Sequence, residues 1–249
     1  MPKVIGIIPS RYDSRRFPGK PLALLGELPI IVRVFRQAQK STTLDDVLVA
    51  TDDQRIADTV INHGGKAVVT NGKFTCGSDR VASAAKGIKT DLVINIQGDE
   101  PMLSPEVIDK VANCLIDNPK AVMSTACSRI TDISEIDNPD VVKVVLARDG
   151  RALYFSRSRI PCFDSVSNQE NADSIKVYRH IGVYGFTSEF LQVFASLDQT
   201  PLEKTEKLEQ LRALENGYGI YIIKTSHTFL GIDSQEDLFR AEKMLENKR

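Results

Sequence analysis

Cysteine and histidine are scarce: four and three in 249 residues, with no tryptophan at all. Cys76, Cys114, Cys127 and Cys162 form no close pairs, and no histidine stands at zinc-ligand spacing from them. That argues against a disulfide framework and against a tetrahedral zinc site, and all four thiols read as reduced. Apolar runs long enough to cross a bilayer, roughly 20 residues, are also missing. The start, MPKVIGIIPSRYD, passes into polar, arginine-rich sequence without a cleavable apolar core. A cytoplasmic chain without membrane contact is the expectation. Charge of one sign is lacking too: 32 Lys and Arg against 33 Asp and Glu leave a net charge of -1. No global field favours nucleic acid or an acidic membrane, so any anion site must be local. The GxGxxG and GxxxxGK[ST] phosphate loops, GxSxG and HExxH are absent as well, which leaves dinucleotide-dependent redox chemistry, triad hydrolysis and zinc catalysis without residue support. Neither a low-complexity linker nor an internal repeat divides residues 1–249, and a single domain is expected.

What is present is alternation. KVIGIIP (3–9), DVLVAT (46–51), KAVVT (66–70), DLVINIQ (91–97) and AVMSTAC (121–127) are short, β-branched and bounded by turn residues, and they read as buried strands. Between them lie helical periods such as Ile30, Val34 and Ala38, with Ile31 and Phe35 on the same face. Alternation over residues 1–130 predicts an α/β fold, a mostly parallel twisted sheet with helices on both faces. Such sheets bind ligands beyond the carboxyl ends of their strands. After residue 140 the rhythm changes. VVKVVLARDGRALYFS (141–156) holds two strand-like runs around Asp149-Gly150, an antiparallel hairpin signal. Residues 161–176 are polar and aperiodic and read as a substrate-side loop. LEKTEKLEQLRALENG (202–217) is helical and closes on Gly217, and the last helix opens with a capping-box pair, Ser234 and Asp237.

Four segments carry chemistry. PSRYDSRRFPGKPL (9–22) follows the first strand with Arg11, Arg15, Arg16, Gly19 and Lys20, so that residues 1–20 hold five cations against Asp13 alone. Arginine forks match phosphate oxygens, lysine adds a point charge, and a glycine lets backbone N–H groups approach a polyphosphate. The segment suits a triphosphate clamp, or else a solvated basic loop. VINIQGDEP (93–101) ends a hydrophobic strand on acids, and Asp99 there is a candidate Mg²⁺ ligand, although Gly-Asp is equally a common turn. ATDD (50–53) ends another strand, with Asp53 also suited to capping the next helix. GIDSQEDL (231–238) offers Asp233 as a second carboxylate, or as an acid placed at a helix N-terminus. His180, between apolar neighbours, suits a substrate contact or a core position.

Together PSRYDSRRFPGKPL, ATDDQRI, CGSDR, NIQGDEP, VVKVVL, ALYFSRSRIP, RHIGVYGF, LEQLRALE and GIDSQEDL resemble the 3-deoxy-manno-octulosonate (Kdo) cytidylyltransferases, in order and over nearly the whole chain. The resemblance implies a Rossmann-like nucleotidyltransferase fold with residues 1–130 mainly nucleotide-binding and 131–249 mainly sugar-binding and dimerising. It implies transfer of CMP from CTP to Kdo for lipopolysaccharide assembly, with Mg²⁺ and a homodimer. By the same resemblance Arg11, Arg16 and Lys20 grip the CTP phosphates and act in catalysis with Asp99. Asp99 and Asp233 hold the metal, Ser78 and Arg80 lie near the nucleotide, and Gln97, His180, Glu209 and Gln210 face the sugar. The chain departs from the family pattern at Ser10, at Cys76, where serine is common, and in HTFLGID before Asp233. An 8-amino analogue of Kdo or another acid sugar, such as a sialic acid, is the alternative acceptor. A nucleotide-binding assembly protein without turnover is the rival of another class.

Overall fold

A computed structural model describes residues 2–13, 16–162, 176–227 and 231–246. β1 (Val4–Ser10) leads through a short hairpin, β2 (Leu24–Leu25) and β3 (Leu28–Pro29), into α1 (Ile30–Ala38). β4 (Asp46–Thr51), α2 (Gln54–Asn62), β5 (Lys66–Val69), α3 (Gly77–Ala85), β6 (Leu92–Ile96), α4 (Pro105–Ile116) and β7 (Met123–Arg129) continue the alternation. The second half holds β8 (Lys143–Leu146), β9 (Ala152–Ser156), β10 (Tyr178–Thr187), α5 (Ser188–Ser196), α6 (Pro201–Glu206), α7 (Leu211–Glu215), β11 (Ile220–Thr225) and α8 (Gln235–Glu246).

The main sheet runs β11-β7-β10-β6-β1-β4-β5. Its neighbours pair in parallel except around β10, which is antiparallel to both β6 and β7. Alternation along β1 divides the core between the two faces: Val4 and Ile8 join a cluster with α1, α2, α4 and α8, whereas Ile5 and Ile7 join one with α3, α5 and α7. The expected layers on both faces are therefore present, and the hairpin expected around Asp149-Gly150 is β8–β9, with Gly150 at φ +86° in its turn.

Two expectations need correction. KAVVT was expected to be buried, but β5 pairs only with β4 at the sheet's edge, and Val68 and Val69 are exposed. The helix expected over residues 202–217 is two helices, broken where Lys207 turns into the left-handed region at φ +56°. That break carries Glu209 and Gln210 on a turn rather than on a helical face. Gly217 does close α7, in a left-handed conformation at φ +81°, with Tyr218 N–H reaching back to the Ala213 carbonyl. Ser234 and Asp237 form the expected reciprocal cap. The 161–176 loop falls, from residue 163 to 175, outside the described residues, as does Arg15.

Candidate functional site

The carboxyl ends of β1 and β6 converge, because parallel neighbours end on the same edge. Close approach is enforced by Gly98: a Cβ there would stand 2.8 Å from the Pro9 carbonyl oxygen. The segment before α8 crosses the same edge, with Ile232 N–H bonded to the Asp99 carbonyl at 2.9 Å. Three stretches remote in sequence thus meet at one point.

Lys20 lies at that meeting point. Gly19, at φ +70°, makes the turn that starts the short helix Lys20–Leu22. The Lys20 Nζ donates to Asp99 Oδ2 at 2.9 Å, to Asp233 Oδ1 at 3.2 Å and to the Ile232 carbonyl at 2.8 Å. Arg16 pairs with the other oxygen of Asp233 at 2.8 Å. Arg11 is exposed on the same loop and has no ion-pair partner among the described residues. Behind this cluster Glu100 has a buried Oε2 that no donor reaches. Burial, followed by repulsion from Asp99 and Asp233, pushes its carboxyl up to about 8. Asp99 and Asp233 present two carboxylate oxygens to one cation-sized point, already held by an ammonium, and hard oxygens in that number suit Mg²⁺, which completes its shell with water and substrate phosphates. No cluster of three or more His, Cys, Asp or Glu suited to a metal occurs among the described residues.

The second half of the site is a cavity of about 490 Å³ on the other side of Gln97. Cys76 and Gly77 line it from the N-terminus of α3, Tyr184 from β10, and Lys207, Glu209 and Gln210 from the turn between α6 and α7. A bulge in β10 supports this wall: the register against β7 shifts between Ile181 and Tyr184, and the Thr125 hydroxyl bonds the carbonyls of Ile181 and Val183 there. Gly182 in the bulge leaves space beside Gln97 and Glu100, since a Cβ would meet them at 3.3 and 3.4 Å. The Tyr184 hydroxyl donates to Gln210 Oε1 at 3.0 Å, which fixes the amide so that its buried Nε2 has no protein acceptor. Glu209 Oε2 accepts from the Ser78 backbone N–H at 3.0 Å, and burial raises its carboxyl above the usual range against the opposing pull of the Cys76 and Ser78 contacts.

The predicted residues therefore fall into four groups, with Arg11 apart from them on its exposed loop. Lys20, Asp99, Asp233 and Arg16 come together, and Gln97, Glu209 and Gln210 line the adjoining cavity. Ser78 acts through its backbone, its buried hydroxyl accepting from Asn95 Nδ2 at 2.9 Å. Arg80 and His180 are tied into the fold. Arg80 is buried and bonds Thr70 Oγ1 and Asp52 Oδ2, both at 2.8 Å. His180, partly exposed, packs between Phe155 and Tyr184, with Nε2 2.9 Å from Thr125 Oγ1. Burial drives its imidazole down to about 3, so the ring is neutral at physiological pH. Sequence reasoning missed Tyr184, Glu100, Asn95 and Asp52. Tyr184 and Glu100 sit inside the quoted motifs RHIGVYGF and QGDEP, where Tyr184 could have been picked out as a polar group among apolar neighbours and Glu100 as a second acid beside Asp99; nothing in the sequence pairs Asp52 with Arg80 or Asn95 with Ser78.

A basic, carboxylate-bearing edge beside a polar cavity, at the carboxyl ends of a mostly parallel sheet, is the arrangement of a nucleotidyl-transferring α/β enzyme. The chain matches the cytidylyltransferase family over residues 5–241. It is 43% identical over 245 residues to a 3-deoxy-manno-octulosonate cytidylyltransferase of Syntrophotalea carbinolica, covering 97% of this chain and 98% of the relative. Identity to the enzyme of the same name from Desulfatibacillum aliphaticivorans is 44% over 249 residues, with 99% and 100% covered. Among solved structures, a CMP:2-keto-3-deoxy-manno-octonic acid synthetase complexed with CTP superposes with a TM-score of 0.91 at 33% identity, over 99% of this chain and 100% of that one. The chain belongs to the cytidylyltransferase family, among the 3-deoxy-manno-octulosonate cytidylyltransferases.

Proposed function

We propose that this chain transfers the cytidylyl group of CTP to the anomeric hydroxyl of Kdo, giving CMP-Kdo and pyrophosphate. The observation that carries the reading is the contiguity of the two subsites at the end of β6: Gln97 borders the cavity, and Asp99, two residues on, sits in the cationic cluster. A triphosphate at the cluster and a polyol acid in the cavity would meet across Gln97. The hydroxyl oxygen then attacks the α-phosphorus in line and loses its proton to solvent, the bond to the bridging oxygen breaks, and its electrons leave with pyrophosphate. Positioning and charge neutralisation suffice for this step, and no protein nucleophile is required.

Arg11 and Arg16 are solvent-facing and suited to phosphate oxygens, and Lys20 stands next to Asp99 to receive negative charge as it moves toward the leaving group. Asp99 and Asp233 would hold Mg²⁺, which, when bound, neutralises phosphate charge and acidifies a coordinated hydroxyl. Gln210 offers its unpartnered Nε2–H to a sugar carboxylate or hydroxyl, while Glu209, whose proton affinity burial raises, lines the same cavity beside it. The supply of activated sugar for lipopolysaccharide belongs to this reading. So do a cytoplasmic setting, in keeping with the absence of a membrane-crossing helix among the described residues, and a homodimer, for which the β8–β9 hairpin, with Leu153 62% exposed, is the proposed contributor.

Pyrophosphate release with CTP and Mg²⁺ tests the proposal, run in parallel with Kdo, its 8-amino analogue, a sialic acid and no sugar, and repeated with chelator. Release with Kdo that chelator abolishes supports it. A preference for the 8-amino analogue would reassign the acceptor, and silence across the panel from folded, CTP-binding protein would overturn the enzymatic reading.

A further inference from the structure

Arg212 is among the most deeply buried charged side chains of the described residues, 1% exposed in the first turn of α7, yet it does not line the cavity. Its guanidinium forks onto Glu203 of α6, Nε to Oε2 at 2.9 Å and a terminal nitrogen to Oε1 at 2.7 Å. The other terminal nitrogen pairs with Asp79 of α3 at 2.8 Å, and the group lies 4.7 Å from the centre of the Phe194 ring. A further contact, to Thr75 Oγ1 at 3.3 Å, reaches the segment that enters α3. One side chain thus joins the nucleotide-side helix to both helices that flank the turn carrying Glu209 and Gln210.

That turn needs an external hold. Lys207 is the one non-glycine residue with positive φ among those described, a conformation that an L side chain disfavours and that persists only when its surroundings impose it. The bond the turn makes with α3 is also specific. Ser78 lies in the first helical turn, where no carbonyl four residues back is available, and its N–H donates to Glu209 instead. If the turn shifted, this bond and the aim of Gln210 would go with it.

We propose that Arg212 is a positioning residue for the acid sugar, clamping the 207–210 turn to the N-terminus of α3 so that Glu209 and Gln210 face the acceptor. The proposal rests on the reading of the cavity as the sugar site. It assigns Arg212 no contact with substrate; its effect passes through Glu203 and Asp79.

The test compares wild type with Arg212→Lys, which keeps the charge and removes the planar fork. Three quantities are read: hydrogen exchange at the Ser78 amide, KM for CTP and KM for Kdo. Ser78 exchange faster by about tenfold, with KM for Kdo raised about tenfold and KM for CTP within about twofold of wild type, is the expected pattern. Unchanged Ser78 exchange with both KM values held, or both KM values rising together with a lowered melting temperature, would overturn it in favour of a purely structural ion pair. Asp79→Asn leaves the Glu203 fork in place and weakens the tie to α3, together with the bonds Asp79 accepts from Thr75 at the entry to that helix. It should move the same readouts in the same direction by about threefold, and it carries the test if the lysine variant does not fold. Failure of the wild type to use Kdo would sink the sugar-site reading alone, because the Ser78 exchange ratio still decides whether Arg212 holds the turn.

Discussion

The two sides of Gln97 solve the problem of holding polar groups in different ways. On the cationic side the partners are charged and partly wet: Arg16 and Asp233 are 59% and 51% exposed, and only Lys20 is enclosed. On the cavity side the groups are buried and their orientation is set by hydrogen bonds from uncharged donors, Tyr184 to Gln210 and the Ser78 backbone to Glu209. Exposed ion pairs contribute little to stability, about 0–1 kcal/mol each, so the cationic side can exchange partners when a polyphosphate arrives. A buried amide with one fixed face cannot, and it discriminates by leaving a polar group unpaired when the wrong ligand enters. The charged side is built to move charge, and the neutral side to recognise shape.

Asp99→Asn breaks the comparison at its charged end and should have the largest effect. A near-isosteric amide keeps the fold but cannot match a cation or the Lys20 ammonium, and kcat should fall about 10³-fold while the melting temperature moves little. Steady-state turnover beside a thermal melt checks this, and wild-type turnover with intact Mg²⁺ dependence would remove Asp99 from the site. On the neutral side, Gln210→Leu deletes the oriented amide and strands the Tyr184 hydroxyl. KM for Kdo should rise by about one to two orders of magnitude with KM for CTP unchanged, which a two-substrate titration would separate.

Two smaller effects concern the frame both sides share. Gly98→Ala would push a methyl against the Pro9 carbonyl, and backbone cannot yield as a side chain can; denaturant melts should record a loss of about 1–3 kcal/mol. His180 supplies a pH dependence. Its affinity for protons is lower folded than unfolded, so between about 6.5 and about 3 the unfolded chain binds the extra proton and stability falls as pH falls. From pH 7 to 5.5 that amounts to about 1 kcal/mol, and His180→Gln should flatten this part of the curve in paired denaturations. An equal slope in the variant would place the titration elsewhere.

Much of the charged side was legible in sequence. Arg11, Lys20, Asp99 and Asp233 stand next to strand ends or helix starts and Arg16 in the loop between β1 and Lys20, where turn residues and abrupt changes of polarity mark them. The neutral side was legible only as motifs. Helical periodicity runs through residues 202–217 without signalling the break at Lys207, because a lysine in the left-handed region carries no compositional mark that a glycine would. Arg80 and His180 lie in motifs that resemblance ties to ligands, and the folded chain also gives Arg80 the partners Asp52 and Thr70 and sets His180 against Phe155 and Tyr184. Tyr184 is four positions from His180, but Thr70, Phe155 and Asp52 lie 10 to 28 residues from the side chains they meet, beyond the reach of any local pattern.

Local chemistry by itself determined the alternating α/β order, the β8–β9 hairpin, the cap at Ser234 and Asp237 and the concentration of cations after β1, because each depends on neighbours within a few residues along the chain. Only tertiary structure decided that β10 runs antiparallel between β6 and β7, and that Asp99 and Asp233 share one ammonium although 134 positions separate them. It also decided that Arg212 meets Asp79 across the site. Strand pairing and buried charge satisfaction are settled by which surfaces close on one another, and that closure is a property of the whole packed sheet.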